Sequence, residues 1–149
     1  MDIRTLDVKA SKELYRKNRK LVEAKKCYEN VYRLFSKFPR DFSDGTYKVV
    51  YGYMDNGIPN VLIRHAFLLN SSGRIVDPTI IASKEKRKEM GLDVNEPWPK
   101  YYLMHVFPDL HTYINALVAE EKYALLDTLS SQDKDMLHWA QESGHYLLS

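Results

Sequence analysis

Only one residue in the chain is a cysteine, Cys27, so the sequence holds neither an internal disulfide framework nor a zinc site built from a cysteine cluster. No apolar run approaches the roughly 18 residues that a membrane-spanning helix needs. The first residues, MDIRTLDVKASKELYRKN, carry no apolar stretch of the secretory kind, so no leader is expected. Repeats of solenoid period and low-complexity tracts are missing too. Net charge is only +2, which argues against a chain built as a whole to bind a strong polyanion. The absences leave a cytoplasmic, non-membrane protein as the expectation.

What is present fits an ordinary globular chain. At 44% hydrophobic and 28% charged, the 149 residues can bury a core without covalent staples, and a single domain over residues 1–149 is expected. The charge is uneven. Eight Lys or Arg stand against two Glu from Lys9 to Lys26, and KEKRK at residues 84–88 is a second basic cluster. Such runs are commonly solvated helix faces; the sharper reading is an acidic partner, nucleic acid among the options.

The apolar spacing predicts a helical region over residues 11–38, with Ser11 as N-cap and Pro39 as the stop. Cys27, Val31, Leu34 and Phe35 recur at helical intervals, which turns Cys27 inward. Residues 40–46 read as a loop. YKVVYGYM at 47–54 is β-branched and aromatic and reads as a strand, followed by a turn at Asp55-Asn56-Gly57 and a second strand over 61–70. Residues 74–77 pair back onto it, and Pro78 ends that pairing. Residues 84–99 read as a helix-turn followed by loop, 101–107 as another strand, and 109–129 and 131–147 as two helices. The order of helix, antiparallel sheet and helices is an α+β pattern.

The hairpin IRHAFLLNSSGRIVDPT repays closer reading. A three-residue loop, Ser71-Ser72-Gly73, with Gly73 in the left-handed position, is a common strand connection. It pairs Asn70 with Arg74, so Phe67 faces Asp77. His65 and Asp77 then project from one face as diagonal neighbours, roughly 7–8 Å apart at the backbone. A carboxylate on one ring nitrogen orients an imidazole and leaves the other nitrogen to act as a base. The same pair also serves as a satisfied buried histidine with no chemistry at all.

Cys27, a thiol on an inward helix face, is by default a small core residue, and its order and context in the chain are what make it a candidate third group. In order, the chain offers a helical cysteine in CYENVYRLF, the strand YKVVYGY, then HAF, then GRIVDPT. This resembles the transglutaminase-like superfamily, a branch of the papain-like cysteine enzymes, whose strand signatures look like V-x-G-Y, H-A-W and V-D-P-T. The similarity spans residues 26–79. It implies a papain-like core at residues 11–83, with N-terminal helices packed on a small antiparallel sheet. Residues 84–149 then add a linker, a strand and C-terminal helices. It also implies Cys27 as nucleophile, His65 as general base and acid, and Asp77 as the orienting carboxylate.

The sequence departs from that pattern in three places. Phe67 stands where the family usually has Trp. Family members enter the cysteine helix from a loop, so a break is expected near residues 24–26, although Lys25-Lys26 is not a breaker signal. A side-chain oxyanion donor, frequently Gln, usually precedes the cysteine; Gln132 and Gln141 lie far downstream, leaving Asn18 and Tyr15 as candidates. Trp98, in EPWPKYY, is a candidate for the cleft rim, packing against the sheet being its other use.

The resemblance therefore implies a cysteine-dependent acyl-transfer enzyme without cofactor, acting on an amide bond of a peptide or protein substrate. Hydrolysis is the default because water needs no second binding site. One alternative is an inactive module of the same fold that uses Lys17, Arg19 and Lys20 to contact an acidic protein or nucleic acid. Another is a zinc ion held by Cys27, His65 and Asp77. His105, His111, His138 and His145 show no metal-ligand spacing.

Overall fold

A computed structural model describes residues 1–120 and 130–148. It is a mixed α+β fold, with helices before and after the sheet's central hairpin. The chain runs β1 (Asp2–Thr5), α1 (Val8–Lys17), α2 (Cys27–Lys37), α3 (Pro39–Ser43), β2 (Tyr47–Asp55), β3 (Val61–Asn70) and β4 (Ile75–Val76). It continues with α4 (Pro78–Glu89), β5 (Lys100–Val106), α5 (Leu110–Glu120), α6 (Ser130–Ser143) and β6 (Tyr146–Leu148). No described helix is long and apolar enough to cross a membrane.

The strands lie in the order β1-β5-β2-β3-β4, all antiparallel, and β6 joins β3 in parallel. An isolated bridge between Leu6 and Ile75 ties the end of β1 to β4 on the opposite edge, so the sheet curls towards itself. Strand alternation divides its side chains between its two faces. Val49, Tyr51, Ala66, Leu68 and Val76 face Val31 and Leu34 of α2, Phe42 of α3 and Tyr113 of α5. Val50, Phe67 and Ile75 face the other way, together with Leu6, Tyr101 and Leu103.

The hairpin forms in the expected register. Leu68 opposes Val76 and Leu69 opposes Ile75, and Asn70 N–H donates to Arg74 O at 2.9 Å. Gly73 takes φ +75°, a conformation that costs other residues about 1–2 kcal/mol.

Several expected elements are redrawn. The single helix over residues 11–38 is two helices separated by residues 18–26. Asn18 ends α1 as C-cap: its N–H donates to Tyr15 O, its amide to Leu14 O, and Lys37 Nζ donates to its Oδ1. The cap at the start of α1 is Asp7, whose Oδ1 accepts from Ala10 N–H. Ser11 instead lies buried one turn inside. Residues expected as a loop at 40–46 begin with α3, whose Pro39 occupies the first turn, where a missing N–H costs nothing. The helix expected near residue 84 starts earlier, at Pro78, because Asp77 caps it through Thr79 N–H. Strands β1 and β6 were not expected. Each is short and lies on the sheet's periphery, where pairing is decided by distant partners. The second C-terminal helix ends at Ser143 rather than near 147, and the expectation of helix over residues 121–129 lies outside the described residues.

Candidate functional site

β3 carries the centre of the site. On the edge away from β2, its residues 61–63 pair with β6 and 68–69 with β4, and no described strand covers 64–67. His65 sits in that gap, and α2 packs against the same strand. The first residue of α2, Cys27, lines the same cleft as His65 and adds to the electrostatic environment of its ring.

The imidazole is buried, 5% exposed, and its Nε2 lies 2.7 Å from Asp77 Oδ2. The other ring nitrogen, Nδ1, takes no part in that contact. Burial by itself would push this imidazole down. The Asp77 charge, followed by the charge and hydrogen bonds of Cys27 and Asp77, outweighs it and raises the group from its ordinary 6.5 to about 10. The ring lies near-parallel to Phe67, centroids 6.0 Å apart, which restrains its tilt.

Asp77 is wholly buried and every contact fixes its direction. Oδ1 accepts from Thr79 N–H at 3.1 Å as the cap of α4, while its own N–H donates to Ser11 Oγ at 3.0 Å. Oδ2 accepts a second hydrogen bond, from Tyr101 of β5, at 2.7 Å. Burial, then the Asp77 charge, holds the Tyr101 phenol far above its ordinary range, so the hydroxyl stays a donor. The hairpin alone did not foretell Tyr101. The available signal was a Tyr in an aromatic strand, too common to single out.

The entry to Cys27 is built by Asn30, one turn into α2. Its Oδ1 accepts from Glu23 N–H at 3.0 Å and its Nδ2 donates to Glu23 O at 2.7 Å and to Thr79 Oγ1 at 2.9 Å. The amide thus holds the preceding loop off the helix axis and ties it to α4. Lys25 takes a left-handed φ of 64°, and Lys26 follows as an N-cap without a side-chain cap hydrogen bond. A helix start without a capping side chain leaves first-turn N–H groups and the positive end of the dipole facing outward, here at the cysteine. The expected break therefore occurs. Its cause is the Asn18 cap at the end of α1 together with the Asn30 clamp on Glu23, not the Lys25-Lys26 pair.

Cys27 and His65 line one cleft of about 560 Å³, with Tyr28, Arg64, Thr79 and Pro97 among its walls. Cys27 is half-buried, open to that cleft and packed on its inner side against the α2 core. Arg64 lies over the Tyr53 ring at 5.2 Å and its Nη2 donates to Tyr53 OH at 2.7 Å.

The remaining candidates lie elsewhere. Asn18 is buried at the end of α1, with its amide committed to Leu14 and Lys37, so it cannot serve an oxyanion at Cys27. Tyr15 lies beneath the Arg19 guanidinium in a neighbouring groove. Trp98 lines that groove as well and packs on the Leu6 core, its other expected use. Lys17, Arg19 and Lys20 are exposed, and Arg19 is bound by both oxygens of Glu85, at 3.0 and 3.3 Å. Among the described residues no cluster of three His, Cys, Asp or Glu is disposed to hold a metal ion; the zinc alternative has no supporting geometry.

Comparison with family models, with curated proteins and with solved structures returns no match to this chain, so the site rests on its own geometry.

Proposed function

We propose that this protein is a cysteine-dependent acyl-transfer enzyme with a papain-like, transglutaminase-like core, and that it hydrolyses or transamidates an amide bond in a peptide or protein. One observation carries the reading: Cys27 begins an uncapped helix in an open cleft, and the same cleft is lined by a buried imidazole already held by a carboxylate.

In this reading His65 already holds the proton that Cys27 gives up, its raised affinity keeping it there at neutral pH, and the thiolate attacks the substrate carbonyl carbon. Negative charge gathers on the carbonyl oxygen near the first turn of α2, where backbone N–H groups are available to it. Collapse of the tetrahedral adduct breaks the C–N bond, and the imidazolium gives its proton to the departing amine. His65 then takes a proton from water, or from an incoming amine, as that molecule attacks the thioester. The acyl product leaves and the thiol is restored. Asp77 keeps the ring oriented and its charge balanced throughout. Tyr101 holds the carboxylate as a positioning residue.

The test uses the fact that Cys27 is the only thiol. Alkylation by a peptide-like electrophile, followed by intact mass, is expected to add one label to the native chain at neutral pH. His65→Ala is expected to slow that labelling about a hundredfold, the scale of general-base assistance. Equal labelling rates in the two proteins would sink the proposal. Amide turnover lost in Cys27→Ala would complete it.

A further inference from the structure

The two basic runs of the sequence are distant in the chain but share one groove. Lys12 and Arg16 project from one face of α1, at a spacing of four, and Lys84 and Lys88 do the same on α4. The two helices pack together and leave a concavity of about 560 Å³ between them, lined also by Arg19 and Trp98.

Two acidic groups in this groove are already engaged. Glu85 binds Arg19, and Glu96 binds Arg87 at 2.5 Å. Lys12, Arg16 and Lys88 have no carboxylate partner among the described residues, so the groove carries uncompensated positive charge. Its aromatic rings are occupied by cations: Lys84 Nζ stands 3.9 Å and Lys12 Nζ 5.7 Å from the Trp98 ring centroid, and Arg19 covers Tyr15 at 5.2 Å. Single-stranded nucleic-acid sites pair positive charge with free rings on which bases stack. Here the rings hold cations in place instead, which suits carboxylates better than bases. The groove also adjoins the cysteine cleft, for Lys84 and Glu96 line both, and Lys84 Nζ donates to Glu96 O at 3.0 Å on the ridge between them.

We propose that the α1–α4 groove is a docking site for an acidic peptide segment, the part of a polypeptide substrate that leads into the Cys27 cleft. The substrate half of this inference rests on the cysteine reading above; the docking half does not. The chemistry selects a chain with two or more Asp or Glu residues flanking the scissile amide, bound by charge and therefore weakened by salt.

The experiment measures fluorescence anisotropy of a labelled Glu-Gly repeat peptide, its Gln-Gly counterpart and a charge-matched oligothymidylate, each titrated with the full-length Cys27→Ala chain. The Glu peptide is expected to bind, to weaken as salt rises, and to outcompete the other two. Arg16→Glu combined with Lys88→Glu is expected to reduce that affinity about tenfold or more, at an unchanged melting temperature. Arg16→Gln with Lys12→Gln serves the same purpose if charge reversal impairs folding. Equal binding of Glu and Gln peptides, or an unaltered affinity in both groove variants, would overturn the docking site. Tighter binding of oligothymidylate would overturn it in favour of nucleic acid. In the native chain, an acidic flank should raise kcat/KM only while the groove is intact, and an advantage that survives the groove variants would overturn the substrate half. Binding without any turnover would remove the cysteine reading and leave the docking site in place.

Discussion

Tyr101 and His65 meet the same oxygen of Asp77, each at 2.7 Å, from strands β5 and β3 respectively. A carboxylate that accepts from both sides is held in direction as well as in charge. The two contacts compete for its electron density, so the Tyr101 hydroxyl tempers the pull of Asp77 on the imidazole.

Removing that hydroxyl should therefore have a signature beyond lost stability. Tyr101→Phe is expected to cost about 1.5–3 kcal/mol in urea unfolding, the range for a hydrogen bond to a charged group. It should also shift the His65 titration upward, seen in the ring C–H resonances by NMR, because the undiluted carboxylate favours the imidazolium. An unmoved titration would show that Tyr101 is packing alone.

Asp77→Asn tests the opposite direction. In the native chain the imidazole is raised from 6.5 to about 10, so its contribution to stability is full below pH 6.5 and is lost as pH rises through 10. The slope is about 1.4 kcal/mol per pH unit within that window. Without the carboxylate charge, burial dominates and the imidazole is expected to titrate below 6.5; its stability contribution then falls on acidification instead. Denaturant midpoints across neutral to alkaline pH should lose their decline in the variant. An identical pH profile in the two chains would refute the assignment.

Asn30→Ala attacks the loop before Cys27. Three hydrogen bonds disappear, two to the backbone of Glu23 and one to Thr79. A loss of about 2–3 kcal/mol is expected from the buried groups left unpaired. The more telling change is at the cysteine, where a relaxed loop lets α2 extend backwards and covers its first turn. Electrophile labelling of Cys27 should slow by more than the fraction unfolded accounts for. Labelling that merely follows the unfolded fraction would mean the clamp supports the fold alone.

Gly52 lies opposite His65 in the β2–β3 pairing and beside a bulge against β5. A Cβ there would come within 2.2 Å of Tyr102 O, a backbone atom that cannot swing aside. Gly52→Ala should cost about 1–3 kcal/mol as an overpacked site, and more if β5 separates from β2. Because β5 carries Tyr101, the variant should also disturb the His65 resonances. A melting temperature within a degree or so of the native value would contradict this packing.

The hairpin was legible because all its determinants are local. A Gly in the left-handed position sets the loop length, the loop length sets register, and period-two alternation then brings His65 and Asp77 to one side. The same locality explains the failures. Ser11 reads as a cap from its neighbours, yet its hydroxyl is taken by Asp77 N–H, sixty-six residues on. Helical spacing across residues 11–38 is real on both sides of the break, and nothing within 18–26 announces that Asn30 will seize Glu23.

By itself the sequence determined the residue types, the register of the β3–β4 turn and the α+β order, since these follow from short-range sterics and apolar periodicity. It also held both basic runs, but only as separate stretches. The tertiary structure decided where α2 begins and that Tyr101 completes the hold on Asp77. It decided too that Lys12, Arg16, Lys84 and Lys88 face one groove beside the Cys27 cleft. Those outcomes depend on contacts between segments far apart in the chain, which form only when the sheet curls and α1 and α4 close against each other.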